Sequence, residues 1–292
     1  MLRALTIGLA LIASGCASVE KTPITIHPVA QIKSAPFDPE EVLEIAQAEF
    51  EAENYTKALE EYLKVSAYDP KRLDARLGLG ESLLALGHHH RAAKIFWLEA
   101  PGWQDGEFAE EIEIGRILSG IYTNRFENIE TAINDGMVID PNDARLWNAK
   151  GRLHDRNGDW MEALSCYVVA MELGEWQSGT VNNMGMSLLI QGRFIEAREK
   201  FEQALTLSPE THIYDNNLRM AHILTGDLKS ALDDISEKRA ADILNDAGYV
   251  AFKGGKPGLA ERLFDKAIEI SPVFHAEAQA NLNRLQAQTP SP

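Results

Sequence analysis

Residues 181–209 read VNNMGMSLLIQGRFIEAREKFEQALTLSP, and this stretch decides the fold. Gly185 stands among apolar residues at helical spacing, Gly192 interrupts them, and a second helical run carries Ala197, Phe201 and Ala204 on one face before Pro209. One period earlier the same order recurs as Gly151, Gly158, Ala163, Tyr167 and Ala170, and one period later as Arg219, Gly226 and Ala231 (185 − 151 = 34; 219 − 185 = 34). A last copy holds Leu244, Gly248, Gly255, Ala260, Phe264, Ala267 and Pro272. A repeat of this length marks an array of helix pairs, each too small to bury its apolar face alone. The expected fold class is all-α, a solenoid, with function on a surface.

Trp147 and Gly151, then Ala163 and Tyr167, then Pro209 resemble the W-x2-L-G-x2-Y, A-x3-F and P elements of the tetratricopeptide repeat. The small residues Gly151, Gly185 and Gly248 permit close helix approach, as do Ala163, Ala197, Ala231 and Ala260; Tyr167, Phe201, Ile235 and Phe264 fill the space between pairs. Weaker copies precede them: Ala46, Tyr55, Ala58, Tyr62 and Pro70, then Gly80, Leu83, Gly87, Ala92 and Phe96. Between Pro101 and Pro141 the pattern degrades to Ile117, Phe126 and Ile133, with Ile129 where the crossing alanine belongs. The resemblance implies a right-handed superhelix of about seven helix pairs over residues 39–272. Residues 273–292 form a capping helix, with Phe274, Ala278, Leu282 and Leu285 on its apolar face, and a tail.

The N-terminus is read as residues 1–15, a signal peptide, and 16–38, a proline-rich tether. Arg3 precedes an apolar run from Ala4 to Ala13, too short to span a bilayer. Ala13-Ser14-Gly15-Cys16 resembles a bacterial lipobox, with Ala13 where leucine is usual. The resemblance implies cleavage before Cys16 and its acylation, and multiple acyl chains hold a protein firmly to a bilayer. Ala17 and Ser18 provide no aspartate, which under enterobacterial sorting implies the periplasmic face of the outer membrane. With Cys16 acylated, Cys166 has no intramolecular disulfide partner and reads as a packing residue.

The formal net charge of −16 disfavours nucleic acid and anionic lipid headgroups as partners. His88-His89-His90 lies in a turn after Gly87, where adjacent side chains diverge, so no metal is expected. The chain contains no phosphate-binding glycine loop and no nucleophile motif; neither a catalytic role nor a cofactor is expected. Attention falls on the first helix of each pair, which lines the concave side of such arrays. Asparagine recurs there at Asn148, Asn182, Asn216 and Asn245, and beside two of these at Asn183 and Asn217. Amides both donate and accept, so such a ladder can hold the backbone of a bound peptide. The same asparagines also suit the start of this helix, and both readings stand. Met186, Leu189, Met220, Ile223, Tyr249 and Phe252 would supply apolar contacts, and Arg152, with Arg145 and Arg156, an anchor for a carboxylate.

A lipobox, a prolyl tether and an array ending in Asn182-Asn183-Met184-Gly185, Asn216-Asn217-Leu218 and Leu244-Asn245-Asp246-Ala247-Gly248 is similar to the TadD lipoproteins of tight-adherence (Flp) pilus systems. The resemblance implies an assembly or pilotin-like factor that binds a protein or peptide partner, an outer-membrane secretin and other pilus-assembly proteins. An adaptor for peptidoglycan hydrolases or the β-barrel assembly machinery is the alternative.

Overall fold

The computed structural model describes residues 37–98, 106, 108–174 and 177–288, with the side chains of 98 and 177 excepted. The signal peptide, Cys16 and the tether up to Pro36 lie outside the described residues. The described residues form fifteen α-helices and no strand. Fourteen of them make seven successive pairs: α1 (Pro39–Glu51) with α2 (Tyr55–Tyr68), α3 (Leu73–Ala85) with α4 (His89–Ala93), α5 (Ala109–Tyr122) with α6 (Ile129–Ile139), α7 (Ala144–Asn157) with α8 (Trp160–Glu172), α9 (Gln177–Ile190) with α10 (Phe194–Leu207), α11 (His212–Thr225) with α12 (Leu228–Leu232), and α13 (Glu237–Lys253) with α14 (Pro257–Ile270). A π-helical segment, Lys94–Leu98, continues α4, and α15 (Ala276–Gln288) follows the last pair. The described helices fall into an N-terminal compact unit, up to Ala149, and a C-terminal one, from Lys150.

One column organises both units. The fourth residue of every second helix is a buried alanine: Ala58, Ala92, Ala132, Ala163, Ala197, Ala231 and Ala260. This corrects the expected register of the third pair, because α6 begins at Ile129 and places Ala132 at the crossing. Four residues on stands a large ring in five pairs, and in four of them it seats on the glycine of its own pair. A Cβ on Gly185 would lie 2.6 Å from the Phe201 ring, one on Gly151 2.6 Å from Tyr167, and one on Gly248 2.7 Å from Phe264. The rings of these four pairs therefore pack first within a pair and not only between pairs; Phe96 also meets Gly115 of the following pair, and Tyr62, whose own first helix has no glycine, meets Gly78 of the next. The glycines at the helix turns have a different task. Gly192 takes φ +77, its N–H bonds to the Leu189 carbonyl at 3.0 Å, and the Arg193 N–H reaches Leu188 O at 2.9 Å, which closes α9.

Two pairs depart from the column. In α6 the ring position is Gly136, which Leu146 approaches, and Phe126 from the α5–α6 link covers Gly120 instead. In the sixth pair α12 spans five residues, and the following asparagine comes early (245 − 216 = 29, against 34 between Asn182 and Asn216). Ile235 consequently lies beyond the helix, in the turn before α13, and packs half-buried against the core from there, which corrects its expected place on the second helix. Arg219 occupies the glycine position, and its Nη1 donates to the carbonyls of Ala231 at 3.0 Å and Asp233 at 2.8 Å. A guanidinium thus replaces the glycine–ring contact and ties down the end of the short helix.

At the C-terminus Ala278, Leu282 and Leu285 of α15 are buried, whereas Phe274 precedes the helix and is 74% exposed, correcting its assignment to the apolar face. His275 Nδ1 accepts from the Ala278 N–H at 3.3 Å and caps the helix. The histidine run is also repositioned: His88 is the N-cap of α4, His89 and His90 begin that helix, and His89 stacks on Tyr122 at 3.9 Å. Among the described residues no group of three His, Cys, Asp or Glu side chains is placed to hold a metal. Cys166 is buried, and burial pushes its thiol pKa up.

Gly185→Ala places a methyl into the Phe201 ring and should cost about 1–3 kcal/mol of stability. Combining it with Phe201→Leu should cost less than the sum of the two single changes, read from denaturant unfolding. Strict additivity would contradict the contact.

Candidate partner-binding site

The first helices of three successive pairs meet around one pocket in the C-terminal unit. Met186 of α9, Ile213, Asn216, Asn217 and Met220 of α11, and Ile243, Asp246 and Val250 of α13 line it. Its volume of about 50 Å³ is far below the several hundred Å³ of a typical cofactor site, and suits part of one inserted side chain.

Four residues expected at a groove, Met186, Asn216, Asn217 and Met220, are brought together here. Others are placed differently. Leu189, 0% exposed, and Ile223, 3%, are packed in the core and, unlike the equally buried Met220, do not line the pocket, which corrects their assignment. Their spacing is that of a helix face, but the face turns toward the following helices. Asn182 and Asn245 are buried too, at 7% and 4% exposure. The amides pair across repeats: Asn217 Nδ2 donates to Asn182 Oδ1 at 2.7 Å, and Asn281 Nδ2 to Asn245 Oδ1 at 3.0 Å. The ladder is therefore largely a clasp between first helices, because a buried amide needs partners within the protein. Asn183, Tyr249 and Phe252 are half-buried on the same helices, and Tyr249 and Phe252 pack against the core. Asn148 is half-buried in the N-terminal unit, and Arg152 is half-buried in α7 beside Asp155. Arg145 is engaged by Asp143, at 2.6 Å, and by Glu81, so it is no open anchor for a ligand carboxylate.

Charges around the pocket are mostly spent on each other. Asp215 Oδ2 accepts from Arg219 Nε at 2.9 Å and from Arg239 Nη2 at 2.6 Å. Arg239 also donates to Asn216 Oδ1 through Nε at 2.9 Å and Nη2 at 2.6 Å, which fixes the amide on the pocket wall. Asp246 is the exception. Burial raises its pKa to about 7, and the nearby carboxylates Asp242 and Glu277 push in the same direction. Its hydrogen bond from Asn245 Nδ2 is long, 3.4 Å. Asp246 was missed in the sequence although a signal exists: it follows Asn245 as Asn183 follows Asn182 and Asn217 follows Asn216, so a carboxylate replaces an amide in that column. Ile213, Ile243 and Val250 carried no signal beyond ordinary helical spacing.

A second half-buried carboxylate, Asp155, serves packing. Asp155 accepts from Tyr167 Oη at 2.7 Å and Ser187 Oγ at 2.5 Å, joining α7, α8 and α9. Burial holds its pKa above the ordinary aspartate value.

Residues 43–105 and residues 180–211 each match a family model described as a tetratricopeptide repeat. These two stretches are tetratricopeptide repeats. Over 174 residues, 56% of its length, it is 29% identical to human Protein O-mannosyl-transferase TMTC1, and over 155 residues, 51% of its length, 27% identical to the mouse protein of that name. These stretches span 19% and 16% of the two relatives. Among solved structures, the APC/C hetero-tetramer Cut9-Hcn1 gives a TM-score of 0.54 at 17% identity, covering 84% of this chain and 55% of that one. The human IFIT1 dimer with m7Gppp-AAAA also gives 0.54 at 17% identity, covering 87% and 64%. At these identities the likeness is one of fold. No helix among the described residues is long and apolar enough to cross a membrane.

The raised pKa of Asp246 makes its ionisation unfavourable to folding. In sign, the folded state binds the proton more tightly than the unfolded chain, so stability is greatest below about pH 4 for this group and falls as pH rises toward about 7. Asp246→Asn should flatten that part of the stability–pH curve measured by urea unfolding. An unchanged slope between pH 4 and 7 would contradict the burial assigned to this carboxyl.

Proposed function

We propose that this protein is a membrane-anchored adaptor that captures a segment of another protein on the first-helix face of its repeats, and that its role is that of an assembly or pilotin-like factor for a Flp pilus secretin. The observation that carries the binding reading is the pocket: three consecutive first helices, α9, α11 and α13, surround one concave space with methionine, isoleucine and amide side chains. Flexible thioethers and fixed amides accommodate a peptide whose backbone needs partners and whose side chains need an apolar wall. The reading assigns the chain no catalytic step. Support for the pilus assignment comes from the order of lipobox, prolyl tether and repeats in the sequence, which is similar to that of the TadD lipoproteins. In this reading acyl chains on Cys16 attach the protein to the periplasmic face of the outer membrane, and the tether separates the repeats from the lipid.

Crosslinking in native cells followed by mass spectrometry of the captured proteins tests the partner assignment. Secretin and pilus-assembly components are the expected catch; peptidoglycan hydrolases or barrel-assembly subunits in their place would overturn the pilus role and favour a general envelope adaptor. Cys16→Ala should move the protein from the membrane to the soluble fraction. Retention of the variant in washed membranes would contradict the anchor.

A further inference from the structure

The pocket has a polarity that an apolar groove alone does not explain. Its walls are Met186, Met220, Ile243 and Val250, Ile213 forms a lip that is 52% exposed, and a single carboxyl, Asp246, stands among them. The charged groups near that carboxyl leave it uncompensated. Asp242, on the same helix, lies 3.2 Å from His275 Nε2, and Glu277 of α15 adds a further negative charge. The nearby arginines, Arg219 of α11 and Arg239 at the start of α13, are held by Asp215, Asn216 and the carbonyls of Ala231 and Asp233. A carboxyl set in an apolar wall without a cation is unfavourable for the free protein, and becomes favourable once a positive charge is brought to it.

Resting on the partner-binding reading above, we propose that this pocket receives a lysine side chain of the bound partner, its methylene stem between Met186, Ile213, Met220 and Val250 and its ammonium on the Asp246 carboxylate. The chemistry selects this occupant. A narrow space of about 50 Å³ admits an unbranched stem, the thioethers shape themselves to it, and the compact ammonium has three donors for the Asp246 oxygens and the neighbouring amide oxygens. A glutamate would meet Asp246, Asp242 and Glu277 and be rejected; the net charge of −16 likewise draws a cationic segment to the surface. The raised pKa of Asp246 agrees with a site lacking its cation, and makes capture depend on pH. Docking of an ammonium requires the ionised carboxyl, so binding strengthens as pH rises through about 7 and releases a proton.

The test uses the full chain labelled with ¹³C in its methionine methyl groups, and three probes: acetyl-Leu-Ala-Lys-Ala-Leu-amide and the same peptide with norleucine or glutamate in place of lysine. Met186 and Met220 report the pocket, and Met161, 76% exposed on α8, is the control. At pH 8 the lysine peptide should shift the Met186 and Met220 methyls but not Met161, and bind at least about fivefold more tightly than the norleucine peptide, a modest effect for a charge-assisted hydrogen bond. The glutamate peptide should bind most weakly. Asp246→Asn should reduce the lysine preference to none, as should lowering the pH to 5.5 with the wild-type chain. Equal binding of lysine and norleucine peptides at the two methyls would overturn the cation assignment while leaving a partner groove in place. Absence of any shift with all three probes would overturn the pocket itself. The adaptor reading would then stand or fall separately, on what is captured in cells.

Discussion

A ring seated on a glycine holds most of the helix pairs together. Phe201 on Gly185, Tyr167 on Gly151 and Phe264 on Gly248 bring two helices to a distance that no side chain larger than hydrogen would permit, and the buried alanine column completes the crossing. Aromatic burial supplies the apolar area, and the missing Cβ supplies the close approach. Because the second, fourth, fifth and seventh pairs share this contact, those pairs are alike, and their first helices present matching columns of residues. Surface pattern thus follows from core pattern.

The sixth pair shows what happens when that contact is given up. Shortening α12 to five residues leaves the ring position, filled here by Ile235, beyond the helix, and Arg219 takes the place of glycine. Its guanidinium holds the end of α12 and, through Asp215, the Arg239 that fixes Asn216. The pocket's polar wall is therefore tied to the departure from the repeat, and its unusual member, Asp246, lies in the pair immediately after it. The third pair makes a milder departure, with Phe126 supplied from a link instead of a helix.

Much of the fold was legible because it is periodic. Gly, Ala and aromatic residues at fixed spacing identify the paired helices, and the turn glycines identify where they reverse. The register of α6 was misread because Phe126 imitates the ring that the helix lacks, and Ile235 because a five-residue deletion is invisible when columns are aligned forward at a constant period. The site was only half legible. Helical spacing marks Met186 and Met220 as pocket residues and equally marks Leu189 and Ile223, yet the latter two face the core. The asparagine column announces polarity on the first helices, but not that Asn217 and Asn281 use it to clasp Asn182 and Asn245. Such pairings depend on the distance between helices, which no single stretch of sequence encodes.

The central claim is that partners are held on the first-helix face around α9, α11 and α13. Site-directed photocrosslinking in native cells tests it most directly, with a photoreactive amino acid at Ile213 on the lip of the pocket and, separately, at the exposed Met161 on a second helix. The account predicts a discrete crosslinked partner from position 213 and none from position 161. Capture from position 161 alone would contradict it.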